Sequence, residues 1–297
     1  MINQAEIPLL NRLPMTRIKI FIAQVLYRII HLALRHDIRR VRRGGLSYEL
    51  DLSEGIDFSI FLFGKFQRHV IGGKFFKLPE NAVVFDVGAN IGSMTLQFAR
   101  MVPNGHVYAF EPTNYAYAKM NHNLALNQEL AKRITPVQSF VSNRTEPHSS
   151  INAYASWKVD GSPSIKHPLH GGMIQSAESI PSITLDDFCL AKNLSNVDLI
   201  KIDTDGHELP VLEGASETIR KFLPHIIFEI GLYVLKEQGI QFGRYFEILS
   251  SYAYTLINSK NGERITIENY HEIIPLRSTT DIIAIPPGDG GLQFHQK

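Results

Sequence analysis

From residue 80 onward, short apolar runs alternate with longer segments whose apolar positions recur every three to four residues. VVFDV precedes SMTLQFARMV, HVYAF precedes a stretch over 113–127, and ITPVQSFV follows as a third run. VDLIKID leads into GHELPVLEGASETIRKF, HIIFEI is followed by FGRYFEILSSY, and YAYTLIN, ERITIE and DIIAIP close the series. Continuous apolar runs of this length mark strands buried on both faces, and the 3.6-residue period marks the helices that cover them. The alternation predicts an α/β fold with a mostly parallel sheet. Asn261-Gly262 is a hairpin turn signal between two of the last runs, which predicts an antiparallel edge. Helix punctuation agrees with this layout. Pro103-Asn104-Gly105 stops a helix over 92–102, Thr113 caps the next, and Thr184 with Asp187 forms a capping box for ITLDDFCLAKN. Pro210 falls in the first turn of its helix, where proline is tolerated.

Ahead of this series the pattern changes. Residues 18–34 are strongly apolar but interrupted by Lys19, Gln24, Arg28 and His31. Arg17, Gln24, Arg28, His31 and Arg35 follow helical spacings and share one face, leaving Ile, Phe, Val and Leu on the other. Two charges inside the span argue against a transmembrane helix, and the pattern is not that of a plain signal peptide. Two readings stand: a helix packed on the domain, or an interfacial helix on an anionic membrane. The second is helped by Arg39, Arg40, Arg42 and Arg43 close behind. LSYELDLSEGIDFSIF alternates and reads as short strands. The domain plan is therefore a basic helical segment over 1–44, lead-in strands over 45–75, a main domain over 76–288, and a Gly-rich tail over 289–297. Within the main domain, 143–182 is rich in Ser, His, Pro and Gly without a steady period. It reads as a long excursion of the kind that forms acceptor sites. Trp157, the only tryptophan, lies there beside Tyr154 and reads as a packing anchor, with lining of an acceptor site as the alternative.

Composition narrows the classes further. The chain has 297 residues, 44% hydrophobic and 20% charged, and a formal net charge of +1, so no global field attracts nucleic acid or membrane. One cysteine, Cys189, excludes internal disulfides and a cysteine-based zinc cluster, and its helical context reads as a small buried hydrophobe. A reducing, cytoplasmic setting fits, with peripheral contact at the inner membrane face through residues 15–43.

The candidate chemistry sits where apolar runs end. In open α/β sheets ligands bind beyond the carboxyl ends of the strands. Asp86, Glu111 and Asp203 fall at such ends, and Glu229 is close to one. Like charges crowding one rim are costly unless a cation or a ligand relieves them. VVFDVGANIG carries a glycine turn whose backbone N–H groups can approach a polar group at a helix N-terminus. About twenty residues on, Glu111 can accept hydrogen bonds from ribose hydroxyls. Asn90 stands where a dinucleotide turn has the glycine that makes room for pyrophosphate. His207, four residues past Asp203, could take a proton from an acceptor hydroxyl. Glu208 is either a further catalytic carboxylate or a first-turn acid favoured by the helix dipole.

VFDVGANIG, AFEP, ITLDDF, DLIKIDTDGHELPVLEGA and PHIIFEI, in that order and spacing, resemble the FkbM-type S-adenosylmethionine-dependent methyltransferases over about residues 45–286. The resemblance implies a seven-stranded, Rossmann-like class I methyltransferase sheet whose last strand is antiparallel. It implies that Gly88, Asn90 and Gly92 surround the methionine part of S-adenosylmethionine. Asp86 then supports the amino group through water or backbone, Glu111 holds the ribose, and Asp203 closes the site. Asp205 departs from the usual glutamate of the family. The shorter reach leaves its part in base or metal chemistry open.

The expected reaction is methyl transfer to a hydroxyl oxygen of a sugar, glycan or small natural product. His207, Glu208 and Asp205 are the candidate catalytic groups. A divalent ion on Asp203, Asp205 and Glu229 is the alternative way to activate the acceptor. Two other readings share the sheet: a nicotinamide-dependent oxidoreductase, and a non-catalytic membrane-surface protein that kept the fold. Asn90 and the IKIDTDGHE block count against the first, and the retained acids against the second.

Overall fold

The computed structural model describes residues 15–64, 70, 75–149, 152–155, 173–176 and 180–288. The chain opens with helix α1 (Met15–Leu34), strands β1 (Ile38–Arg43) and β2 (Leu46–Asp51), and helix α2 (Gly55–Phe63). The α/β series follows: β3 (Val83–Val87), α3 (Ser93–Met101), β4 (His106–Phe110), α4 (Asn114–Ala125), α5 (Gln128–Ala131), β5 (Ile134–Val137) and β6 (Phe140–Val141). The excursion contributes β7 (Glu146–Ser149), β8 (Asn152–Ala155), β9 (Met173–Ser176) and β10 (Ile180–Ile183). Then come α6 (Leu185–Ala191), β11 (Leu199–Ile202), α7 (Glu208–Glu213), α8 (Ser216–Phe222), β12 (His225–Gly231), α9 (Leu232–Gln238) and α10 (Phe242–Ser251). The last elements are β13 (Thr255–Asn258), β14 (Arg264–Ile265), α11 (Tyr270–Ile273) and β15 (Thr279–Ile285).

The central sheet has eight strands in the order β14-β13-β15-β12-β11-β3-β4-β5. The five strands β5, β4, β3, β11 and β12 run parallel, and β15 is antiparallel to both β12 and β13. Seven of these match the expected sheet. The eighth is the two-residue β14, brought back against β13 by the turn after Asn258. Neighbouring residues point to opposite faces and so enter two separate cores. Val84, Leu199, Ile227 and Ile283 pack on one side, while Phe85, Ile200, Ile226 and Ile282 pack on the other. This is why the runs read as continuously apolar.

Several local expectations change. Residues 38–43 are a strand, not part of a basic helix, because their alternation pairs β1 with β2 in register from Ile38↔Asp51 to Arg43↔Leu46. Gly55–Phe63 is a helix where alternation predicted a strand, closed by Gly64 in the left-handed conformation (φ 71°). GHELPVLEGASETIRKF is two helices, α7 and α8, broken at Gly214-Ala215. Thr184 caps α6 by accepting from Asp187 N at 2.9 Å. The other half of the capping box is replaced, since the Asp187 carboxylate accepts from the Thr145 hydroxyl. The excursion has its own ladders: β10 pairs with β6 and β7, and β8 with β9. Trp157 lies outside the described residues. Cys189 is buried as expected.

The N-terminal elements join the same core as the sheet. Tyr27 of α1 and Leu50 of β2 pack with Val84 and Leu96. Lys119 of α4 is held by Glu54 at 2.8 Å and by the fully buried Asp57 at 2.7 Å, which ties this unit to the helix following β4. No helix among the described residues is long and apolar enough to cross a membrane.

Candidate active site

The carboxyl ends of β3, β4 and β11 meet at an open cleft. Its wall includes Gly88, Asn90, Glu111, Asp203, Asp205 and His207, with Ser139, Phe140 and Val141 arriving from the end of β5 and from β6. No motif marks those last three residues, but the carboxyl end of a third parallel strand is where the open-sheet rule places ligand contacts.

The turn after β3 is built from left-handed residues. Gly88, Asn90 and Gly92 have φ of 77°, 48° and 80°. Asparagine tolerates this region, unlike most non-glycine residues. A Cβ at Gly88 would lie 1.9 Å from the carbonyl oxygen of Asp203, so both φ and space demand glycine there. The N–H groups of Gly88 and Ala89 both donate to the Phe110 carbonyl, at 3.0 and 2.9 Å, which fastens the turn to the end of β4.

Glu111 is buried at the cleft wall. Its Oε1 accepts from Thr113 N at 2.9 Å and from the Thr113 hydroxyl at 2.6 Å. Its Oε2 accepts one donor, Asn90 N at 3.0 Å. A carboxylate oxygen has two lone pairs, so Oε2 keeps acceptor capacity toward the cleft. Burial holds this carboxyl above its usual range, opposed by the Thr113 and Asn90 donors.

Asp86 does not line the cleft. It is fully buried beneath the turn, where its carboxylate takes the Thr95 hydroxyl at 2.6 Å and faces Lys201 Nζ at 3.1 Å. Lys201 also donates to the Gly88 carbonyl at 3.1 Å and lies 3.7 Å from Asp203. Burial disfavours the ammonium, but Asp86 and Asp203 outweigh it and hold the lysine above its ordinary pKa. Lys201 was missed at the level of motif. Its signal was present all the same: a lysine inside a buried strand must be paired.

Asp205 borders both the main cleft and a second, smaller depression whose wall includes Glu208 and Glu229. It adopts φ 52°. Its side chain reaches solvent, yet the surrounding protein desolvates it and Asp203 and Glu208 repel it, which pushes it up to about 7. Glu229 is also held well above the carboxylate range, by burial and then by Asp203 and Asp281. Carboxylate oxygens of Asp203, Asp205 and Glu229 lie within 4.8 Å of one another. Three carboxylates are the donor type of a hard divalent cation, and positive charge would relieve their repulsion.

Glu208 is buried and turned toward its own loop. Its Oε1 accepts from Thr204 N, the Thr204 hydroxyl and Gly206 N at 3.0 to 3.1 Å. The structure therefore gives it the loop-capping role. His207 faces the main cleft, with Nε2 3.2 Å from the Ser142 hydroxyl. Burial lowers its pKa, which leaves the imidazole neutral and able to accept a proton.

A parallel sheet with one inserted antiparallel strand, a left-handed glycine turn after its first strand in chain order, β3, and an acid ending the next, β4, define a Rossmann-like nucleotide-cofactor fold. The domain model described as Methyltransferase FkbM domain matches residues 86–256, and the chain belongs to that family. The 2-O-methyltransferase NoeI of Sinorhizobium fredii is 30% identical over 150 residues, covering 47% of this chain and 59% of that protein. The hexuronic acid methyltransferase AglP of Haloferax volcanii is 23% identical over 151 residues, 51% of this chain and 56% of that one. These alignments thus span about half of this chain and less than two thirds of either relative. The crystal structure of methyltransferase FkbM from Methylobacillus flagellatus superposes with a TM-score of 0.46 at 19% identity, over 71% of this chain and 45% of that one.

Proposed function

We propose that the protein transfers the methyl group of S-adenosylmethionine to a hydroxyl oxygen of a sugar or glycan. The observation that carries the reading is the cleft in which the Gly88–Gly92 turn and Glu111 are joined by hydrogen bonds at the carboxyl edge of the sheet, in a chain of the FkbM family. Family membership displaces the nicotinamide reading of the same sheet. The acceptor class draws on the relatives named as a 2-O-methyltransferase and a hexuronic acid methyltransferase.

In this reading the backbone of the turn and Glu111 Oε2 hold the cofactor, while Lys201 fixes the turn by its bond to the Gly88 carbonyl. The acceptor enters beside Ser139, Phe140 and His207. Held by these residues, S-adenosylmethionine would supply a sulfonium methyl to the acceptor oxygen and leave as S-adenosylhomocysteine, so much of the catalysis would be positioning by the turn, Glu111 and the acceptor wall. His207, neutral and facing the cleft, takes the hydroxyl proton. If a divalent ion binds, Asp203, Asp205 and Glu229 hold it, and it supplies charge that lowers the acceptor pKa.

The test is incubation of purified protein with methyl-labelled S-adenosylmethionine and a panel of uronic-acid and neutral-sugar glycans, followed by mass spectrometry. A glycan gaining the label on an oxygen supports the reading. Label found only on a non-carbohydrate acceptor from cell extract would overturn the acceptor class.

A further inference from the structure

We propose that helix α1 and the arginine-rich strand behind it dock the protein on an anionic lipid surface. Helix α1 uses only part of its apolar surface on the body. Tyr27 is buried, its ring edge-on to Phe58 at 6.0 Å, and Ala23 and Ile30 pack into the same core. At a helical pitch of about 100° per residue, these three lie within about 60° of one another. Val25, Ile29 and Leu32 lie on the opposite side and are 39%, 60% and 80% exposed. A helix packed on one face ordinarily turns a polar face to water. This one turns a second apolar stripe outward, with exposed Arg28 on its flank.

Charge is segregated along the chain in the same sense. Residues 15–43 carry eight basic side chains and one acidic, whereas the rest of the chain carries 22 basic and 28 acidic. A net charge of +1 therefore conceals +7 in this segment and −6 elsewhere. The β1 strand places Ile38, Arg40 and Arg42 on its exposed face; Arg40 is paired there with Glu49 at 2.9 Å, so Arg42 carries the positive surface on from Arg28.

One occupant accounts for both features. A nucleic acid would use the arginines and leave the apolar stripe wet. A protein partner would cover the stripe without needing a net charge of +7 beside it. An interfacial helix uses both, burying an apolar face among acyl chains while its basic flank meets anionic headgroups. The negatively charged remainder is repelled by such a surface, which turns the catalytic body away from it. The contact lies in the membrane plane, and it is independent of the methyl-transfer reading.

The experiment is sedimentation of the full chain with vesicles of phosphatidylcholine alone or mixed with phosphatidylglycerol. Binding is expected to the mixed vesicles only, weakening as salt rises. An Ile29→Glu/Leu32→Glu variant and an Arg28→Gln/Arg42→Gln variant should each bind at least tenfold more weakly, since each arginine near the surface contributes about fivefold. Unchanged melting temperatures establish that these exposed substitutions leave the fold intact. The proposal is overturned by wild-type protein that stays in the supernatant, by equal binding to neutral vesicles, or by variants that sediment like the wild type. A dimer split by Ile29→Glu/Leu32→Glu, with no vesicle binding, would assign the stripe to a second copy and overturn it as well.

Discussion

The backbone N–H of Asn90 donates to Glu111 Oε2 at 3.0 Å, so the turn after β3 and the acid ending β4 are one hydrogen-bonded unit. Asn90 makes this bond from the left-handed conformation, φ 48°. Any ligand that engages Glu111 is thereby referred to the turn, and a change at either residue is felt at the other.

Gly88 tests the turn. Its Cβ would collide with the protein's own backbone at Asp203, so the apoprotein feels the substitution before any ligand does. Gly88→Val should cost roughly 2–4 kcal/mol of stability, combining left-handed strain with overpacking, and should abolish cofactor binding. Thermal melting and calorimetry check both halves. A variant that melts and binds like the wild type would show the turn to be wrongly placed.

Lys201 tests the support beneath it. Removing one partner of a buried ion pair strands the other charge. Lys201→Met should destabilise by about 3–5 kcal/mol, because Asp86 is fully buried 3.1 Å from the ammonium. Asp86→Asn combined with Lys201→Met should recover at least half of that loss. Denaturant unfolding of both variants measures the coupling, and strict additivity would refute it.

Asp205 sets a pH dependence. Its folded pKa of about 7 is above its unfolded value, so the native state binds the extra proton between roughly pH 4 and 7. Stability therefore falls as pH rises through that window and stays low above it. Asp205→Asn removes this term. It should stabilise the protein at pH 8 by about 1 kcal/mol, after discounting for a side chain that reaches solvent, and the gain should vanish near pH 4. Melting curves across pH, taken with chelator present, check the slope. A variant less stable than the wild type at pH 8 would contradict it.

His207 is the proposed base. His207→Ala should lower turnover by about 10²-fold or more with little change in cofactor affinity. The wild-type acid limb should lie below pH 6.5, since burial lowers the imidazole pKa and only the neutral ring accepts a proton. Activity lost to chelator and restored by magnesium or manganese, with a fully active His207→Ala, would shift proton removal to an ion on the three carboxylates.

The sheet was legible because burial on both faces leaves an unmistakable apolar run, and the glycine turn and Glu111 because strand ends fix their place. The N-terminal unit was read less well. IRRVRR has the charge of a solvated helix, yet its alternation pairs with LSYELD, and pairing between segments is not a local property of either. Asp86 shares a strand end with the rim acids, and an indirect role through the backbone is all that its place allows. Its side chain points to the buried side, where Lys201 and Thr95 consume it. Glu208 could be weighed but not decided from sequence, since only the loop geometry brings Thr204 and Gly206 onto its carboxylate.

The central claim is that the cleft bounded by the Gly88 turn and Glu111 holds S-adenosylmethionine, and calorimetric titration of that cofactor into wild-type and Glu111→Ala protein tests it most directly. A carboxylate accepting hydroxyl hydrogen bonds contributes roughly 1.5–3 kcal/mol, so Glu111→Ala should bind about 10- to 100-fold more weakly while the wild type binds in a single-site isotherm. Equal affinity for both proteins, or a wild type that takes up a nicotinamide dinucleotide and not S-adenosylmethionine, would contradict it.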